Sequence, residues 1–205
     1  MAFEGIGVCG VLLAGGRARR MGGGDKCLLD LNGRPLLAHV IERARPQVDA
    51  LLINAWGDPQ RFAPFGLANA ADAVEGHAGP LAGILTGLEW ARAAHLECAW
   101  LASFATDTPF FPADWVARLK AAVEAEAAEI GCCASAGRTH PVFGLWPVRL
   151  AGDLRRALEV EGMRKIDAWT ARYRVATVEF AAEAMDPFFN INAPEDLERA
   201  RALLA

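Results

Sequence analysis

The chain has little of what several familiar functions require. Its 205 residues include one tyrosine and five cysteines. Cys9, Cys27, Cys98, Cys132 and Cys133 show no C-x-x-C spacing, so neither a disulfide framework nor a zinc site is indicated, and Cys9 and Cys98 read as buried thiols in apolar runs. There is no excess of positive charge: 21 Lys and Arg stand against 25 Asp and Glu, for a net charge of −4. A general nucleic-acid binder would carry a basic face, so that class is set aside. No apolar run approaches the roughly 20 residues that span a bilayer, and Glu4 stands where a secretory signal would be cationic. The expectation is a protein of the reducing cytoplasm with no membrane partner. No long apolar heptad or apolar stripe suggests self-association either, and a monomer is expected.

Catalytic signatures are missing as well. No Gly-Lys-Ser/Thr closes a P-loop. The one literal G-x-G-x-x-G, at Gly5, Gly7 and Gly10, lies before and within an apolar strand, where it cannot cradle a dinucleotide. Ser/His/Asp and Cys/His constellations are absent. His39 falls in a helix, His77 and His95 in loop-like stretches, and His140 before Pro141. All four read as structural or solvated.

What is present is a regular alternation of strand and helix. Hydrophobic residues make up 53% of the chain and charged residues 22%, the balance of one compact domain over residues 1–205. Strands are predicted from Val8 to Ala14, Leu51 to Ala55, Leu67 to Asp72, Cys98 to Ser103, Ile130 to Ala134, Val142 to Trp146 and Val175 to Phe180. Cys27 to Leu31 reads as a short extended piece ending in an Asn32-Gly33 turn. Helices are expected from Pro35, from the Gly79–Gly83 stretch, from Pro112 to about Ala127, from Val148 to Val160 and from Met163 to Ala171. A last helix runs to Leu204, with Asn192 as its N-cap and Glu195 completing a capping box. This order implies an α/β fold of three layers, α/β/α and Rossmann-like, with a mostly parallel sheet. Ligands of such sheets bind beyond the carboxyl ends of the strands. Four strand ends offer a glycine turn or a compact polar side chain to that edge: Gly15, Asn54, Asp72 and Asp107.

The stretch after the first strand is the most informative. Gly15, Gly16, Gly22, Gly23 and Gly24 are interleaved with Arg17, Arg19, Arg20 and Lys26, against the single carboxylate of Asp25. Glycine-rich backbone lets a ligand approach closely, and successive amides form nests for anions. With the concentrated charge, the loop suits a polyphosphate. Lys26 and Arg20 would neutralise phosphate charge and stabilise a pyrophosphate leaving group; Arg17 and Arg19 read as solvated. Asp107 is the candidate metal ligand, since Mg²⁺ takes one or two carboxylates plus substrate phosphates. Pro109 disfavours helix at Thr108 and keeps that carboxylate in an extended turn. Asp72 is open between supporting a ligand, accepting a hydrogen bond from a base or sugar, and a purely structural role. The Gly79–Gly83 stretch is open between a ligand approach and a tight loop–helix junction. Missing general bases fit a phosphate nucleophile, whose second pKa near ~6 leaves it anionic at neutral pH.

The wording Leu13-Ala14-Gly15-Gly16, Arg20-Met21-Gly22 and Asp25-Lys26 resembles the signature of nucleotidyltransferases with the GT-A-like nucleotide-diphospho-sugar transferase fold. Further along, Asn54, Asp72, Gly79 to Gly83, Asp107-Thr108-Pro109, His140-Pro141 and Asn190 to Glu195 extend the likeness, most closely to molybdenum cofactor guanylyltransferases. The resemblance implies transfer of GMP from GTP to the terminal phosphate of Mo-molybdopterin, with release of pyrophosphate. It implies GTP binding by Leu13, Ala14, Gly15, Gly16, Lys26, Asn54, Asp72 and Asp107, with Mg²⁺ on Asp107. Arg20, Lys26 and Asp107 would be the catalytic residues. Asn190, Asn192, Arg164 and Lys165 would face the molybdopterin, and molybdoenzymes or cofactor chaperones are the candidate partners. Cytidylyl relatives tend to read Leu-Ala-Ala-Gly, so Gly15 is expected to leave room for a purine. Thr106, directly before Asp107, departs from the small apolar or cysteine residue usual there. The alternatives are a cytidylyl- or sugar-phosphate nucleotidylyltransferase and a non-catalytic carrier of the finished cofactor.

Overall fold

The computed structural model describes residues 7–15, 24–74, 76, 79–183 and 185–204. Nine strands and six α-helices follow one another among these residues. The chain begins with β1 (Gly7–Leu13), a ribbon of β2 (Asp30–Leu31) and β3 (Arg34–Pro35), α1 (Leu36–Ala44), β4 (Ala50–Asn54) and β5 (Ala68–Ala70). It continues with α2 (Pro80–Ala94), β6 (Cys98–Ala105), α3 (Trp115–Ala125), β7 (Ile130–Ser135) and β8 (Arg138–Pro147). The last elements are α4 (Ala151–Glu159), α5 (Ile166–Thr170), β9 (Val175–Phe180) and α6 (Pro194–Leu203).

Seven strands form one sheet in the order β5-β4-β1-β6-β8-β7-β9. Every pairing is parallel except the two made by β8, which runs against β6 and β7. β1 sits between β4 and β6 and is apolar throughout, as a strand covered on both faces must be. Its side chains alternate between two cores. Val8 and Leu12 join the face packed by α1 and α3, through Leu37, Ile41, Trp115 and Leu119. Cys9 and Val11 join the opposite face, packed by α2, α4 and α5 through Ile84, Leu88, Leu154 and Trp169. These are the expected three layers. Each helix supplies its face at helical spacing, as in α1, where Leu36, Leu37, Val40, Ile41 and Ala44 are buried and the intervening positions are not.

Four expectations are corrected in detail. β8 begins at Arg138, four residues before the predicted start, and passes through Pro141. Pro141 cannot donate to the ladder, but the register jumps from Cys132–Gly144 to Cys133–His140, so it lies in a bulge where no donor is required. β5 is shorter than predicted and stops at Ala70, because an alanine-rich segment has little side chain to pack; Asp72 therefore lies beyond the strand and does not end it. The helix expected from Met163 is limited to Ile166–Thr170. The cap of α6 is displaced by one residue. Pro194 occupies its first turn, so Ala193 is the N-cap, and Asp196 rather than Glu195 accepts from the backbone N–H groups of Asn192 (2.8 Å) and Ala193 (2.9 Å). The Asn192 side chain is thereby free of capping duty.

All five cysteines are buried free thiols. Burial raises them above the ordinary thiol range, Cys132 to about 11 and Cys27 to about 12, which fits packing residues. No helix among the described residues is long and apolar enough to cross a membrane.

Candidate active site

The carboxyl ends of β5, β4, β1 and β6 open into a cavity of about 760 Å³. Leu13, Gly15, Lys26, Asn54, Asp72, Asp107 and Asn190 all line it. Neighbouring strands lie about 4.8 Å apart, so the positions after β5 and after β6 are separated by roughly 14 Å across the cavity. The site has two ends.

At one end stand Lys26 and Asp107. Lys26 opens a short 3₁₀ turn and Asp107 follows β6, so segments 81 residues apart meet. Lys26 Nζ donates to Asp107 Oδ2 at 2.6 Å and to Asn192 Oδ1 at 2.5 Å. The backbone N–H of Ile191 donates to the Asp107 carbonyl (2.9 Å), which fixes Asn190 and Asn192 alongside. The Thr108 hydroxyl lies 2.8 Å from Asn190 Oδ1 and 3.2 Å from Asp107 Oδ1. With a single hydrogen it serves both neighbours when the Asn190 amide donates through its nitrogen and the hydroxyl donates to the carboxylate. Thr106, the departure noted above, is buried and donates from Oγ1 to the Leu13 carbonyl at 3.0 Å. Its polarity ties the end of β6 to the end of β1.

At the other end, Asn54 terminates β4 and is 5% exposed. Its Nδ2 donates to Asp72 Oδ1 (3.0 Å) and to the Ala70 carbonyl (3.3 Å). Trp56 Nε1 donates to Asp72 Oδ2 at 3.0 Å, so both oxygens of Asp72 are held by neutral donors. Gly83, in α2, packs directly beneath. A Cβ there would stand 2.4 Å from Asn54 Oδ1 and 2.5 Å from Leu13 Cδ2, so the helix can approach only without a side chain. The Gly79–Gly83 stretch is thus a close junction between helix and strands, and Gly79 and Pro80 line the cavity as well. Gly15, between the two ends, is the opposite case: a Cβ there meets nothing within 4 Å.

Trp56 and Arg61 were not among the residues singled out from the sequence. Arg61 forms an ion pair with Asp25 Oδ2 at 2.5 Å, donates to the Asp58 carbonyl at 2.6 Å, and also donates to the carbonyl of Trp56. It links the turn that follows Trp56 to the residue that precedes Lys26. The only available signal was position, two residues past a strand end for Trp56 and a glycine-aspartate-proline turn before Arg61.

The remaining candidates divide. Ala14 is buried under the site, its N–H donating to the Asn54 carbonyl at 2.9 Å, and it does not line the cavity. Arg164 and Lys165 also stay outside it. Arg164 is exposed and donates to the carbonyls of Met163 (2.7 Å) and Leu158 (3.4 Å), and Lys165 is the exposed residue before α5. Gly16, Arg17, Arg19, Arg20, Met21, Gly22, Gly23 and His77 lie outside the described residues. His140 is half-buried, stacked on Phe188 with ring centroids 4.5 Å apart, and its Nε2 lies 2.6 Å from Ser135 Oγ. Ser135 donates to Asp186 Oδ1 (2.6 Å), so the histidine must be the donor to the hydroxyl. Desolvation pushes the imidazole below its ordinary range, with Asp186 opposing. A second cavity of about 200 Å³, between β7, β9 and α5, contains none of the candidate residues.

No group of three potential metal-binding side chains occurs among the described residues. Asp107, partly exposed at the cavity wall, fits a Mg²⁺ ion held jointly with substrate phosphates and water, the usual arrangement for that ion, and does not fit an all-protein cage.

Comparison with known proteins bears on the fold and the family. The MobA-like NTP transferase domain matches residues 10–175. The molybdenum cofactor guanylyltransferase of Bradyrhizobium sp. (strain ORS 278) is 55% identical over 198 residues, 97% of this chain and 93% of the relative. That of Mesorhizobium japonicum is 48% identical over 200 residues, 96% of both chains. Among solved structures, molybdopterin-guanine dinucleotide biosynthesis protein A from Archaeoglobus fulgidus superposes with a TM-score of 0.73 at 24% identity, covering 96% of this chain and 98% of its own. A CMP:2-keto-3-deoxy-manno-octonic acid synthetase complexed with CTP gives 0.75 at 16% identity, over 97% and 98% of the two chains. The structural likenesses establish the nucleotidyltransferase fold, and the sequence relatives narrow it. The chain belongs to the molybdenum cofactor guanylyltransferase family, nucleotidyltransferases with a MobA-like NTP transferase domain.

Proposed function

We propose that the protein transfers GMP from GTP to the terminal phosphate of Mo-molybdopterin, giving the guanine dinucleotide cofactor and pyrophosphate. The observation that carries this is the convergence of Lys26, Asp107, Asn190 and Asn192 at one end of a cavity whose other end is built from Asn54, Trp56 and Asp72. The names of the relatives support the choice of substrates.

In this reading an anionic oxygen of the acceptor phosphate attacks the α-phosphorus of GTP. The new P–O bond forms as the bond to the bridging oxygen breaks, and pyrophosphate leaves with that electron pair. No side chain need remove a proton, because the phosphate monoester is already ionised near neutral pH. Lys26 neutralises the charge that develops on the leaving group, and positioning supplies most of the remaining acceleration. Asp107, oriented by Thr108 and Asn190, would hold Mg²⁺ together with the nucleotide phosphates. Bound there, the ion would contribute charge neutralisation across the phosphates.

Asn190 and Asn192 flank the acceptor side. Arg164 and Lys165 could meet only an acceptor that extends beyond the cavity. Gly15 faces open space, consistent with room for a purine. The same proposal has the enzyme working as a cytoplasmic monomer and passing its product to molybdoenzymes or cofactor chaperones. The test is pyrophosphate release with Mg²⁺ and Mo-molybdopterin, comparing GTP, CTP and ATP. Release with GTP alone is expected. Release with CTP would keep the site and overturn the base; release with none would favour a cofactor carrier.

A further inference from the structure

We infer that Trp56 forms the nucleobase subsite, its ring stacking on the base while its N–H positions Asp72 to read the base edge; this rests on the nucleotide-transfer reading above. Trp56 is 52% exposed and lines the cavity. The other exposed large hydrophobics among the described residues, Leu96, Val160, Leu203 and Leu204, line neither cavity. A large aromatic surface left open on the wall of a cleft is what a planar partner would cover, because every base presents a π-face and stacking needs no particular edge.

The side chain is also anchored for the task. Its indole N–H is committed to Asp72 Oδ2, which fixes the edge of the ring. Its carbonyl is held by Arg61, itself paired with Asp25. The ring plane is therefore restrained by both backbone and edge, so little freedom would be lost on binding.

Asp72 gains from the same contact. With one oxygen held by Asn54 and the other by Trp56, the carboxylate is fixed while each oxygen retains acceptor capacity. Guanine offers adjacent N1–H and N2–H₂ donors to such a group, whereas cytosine offers its exocyclic amine alone. Trp56 follows β4 and Asp72 follows β5, two and three strand spacings from β6, so this end lies roughly 10–14 Å from the position after β6, a separation suited to a base at one end and phosphates at the other.

Trp56→Phe and Trp56→Ala separate the two roles, since Phe keeps a ring face and loses the donor. Equilibrium binding of GTP and CTP to the full chain and both variants is the experiment, with thermal melts confirming that each variant is folded. Trp56→Ala is expected to weaken GTP about tenfold or more. Trp56→Phe is expected to keep most GTP affinity but to lose much of the preference for GTP over CTP. Quenching of tryptophan fluorescence by GTP should largely disappear in both. Unchanged GTP affinity in a folded Trp56→Ala would overturn the stacking role. Unchanged selectivity in Trp56→Phe would overturn the positioning role. If the unaltered protein bound no nucleotide, the nucleotide-transfer reading itself would fail, which is a different outcome from either.

Discussion

The two ends of the cavity use the same residue type, an aspartate beyond a strand end, in opposite ways. Asp107 is paired with a cation, Lys26, which also holds Asn192, while Asn190 reaches the pair through Thr108. Asp72 receives its two hydrogen bonds from neutral donors, the Asn54 amide and the Trp56 indole. Charge acts over distance and tolerates small errors of position, whereas hydrogen bonds from neutral donors demand direction. Changes at the Lys26–Asp107 end should therefore appear in rate, and changes at the Asp72 end in selectivity.

The largest effect that could break this contrast is at Lys26. Lys26→Ala is expected to slow pyrophosphate release by about 100-fold to 1,000-fold, the scale of removing one transition-state stabilising donor. A loss confined to GTP over CTP discrimination, with rate preserved, would erase the distinction between the ends. Next comes Gly83→Ala. The new methyl group would collide with Asn54 and Leu13, so a melting measurement should show a cost of about 1–3 kcal/mol, together with weaker nucleotide binding. Gly15→Ala is its control: the methyl group enters open space, so the melting temperature should stay unchanged while GTP loses ground to CTP in a competition assay. Equal destabilisation by both would contradict the packing described for Gly83.

Arg61→Ala sharpens the comparison further, because Arg61 spans from the Trp56 carbonyl to Asp25, beside Lys26. It should loosen GTP binding several-fold, less than Trp56→Ala, at a cost in stability of about 1 kcal/mol or less, as expected of a partly exposed ion pair. The smallest effect is expected at His140, outside both ends. Burial lowers its folded-state pKa, so the unfolded chain takes up the proton first. Its stabilising contribution is complete above the ordinary histidine range near ~6.5 and declines as pH falls through the folded-state value. A folded His140→Gln should show a flatter decline of stability in denaturant melts over that window, with no change in nucleotide selectivity.

The Lys26–Asp107 end was legible in the sequence because its parts are charged, glycine-flanked and placed at strand ends, and because the parallel order of the sheet brings those ends together. The asparagines of residues 190–192 were visible through resemblance; their geometry depended on the cap of α6. A reading that spends Asn192 on capping cannot give its oxygen to Lys26, and Pro194 shifting the cap to Ala193 resolves that. The Asp72 end was less legible. Asp72 and Asn54 stood out as polar strand ends, but a lone tryptophan after an apolar strand reads as core. Only the tertiary structure, which leaves Trp56 exposed on the cavity wall with its indole on Asp72, distinguishes it from the buried Trp115, Trp146 and Trp169. Pro141 taught the same lesson about strands: periodicity alone truncated β8, since a bulge that excuses a proline is a property of the pairing and leaves no local mark.

The most direct test of the central claim, that Asp107 serves chemistry on a nucleotide bound along the whole cavity, is a paired measurement on Asp107→Asn. GTP affinity and pyrophosphate release in the presence of Mg²⁺ and Mo-molybdopterin would be determined on the same preparation. Release falling by about 100-fold or more, with GTP affinity changed by less than about tenfold, is the predicted result. Release at the unaltered rate would contradict it, and would return the site to the role of a binding pocket without catalysis.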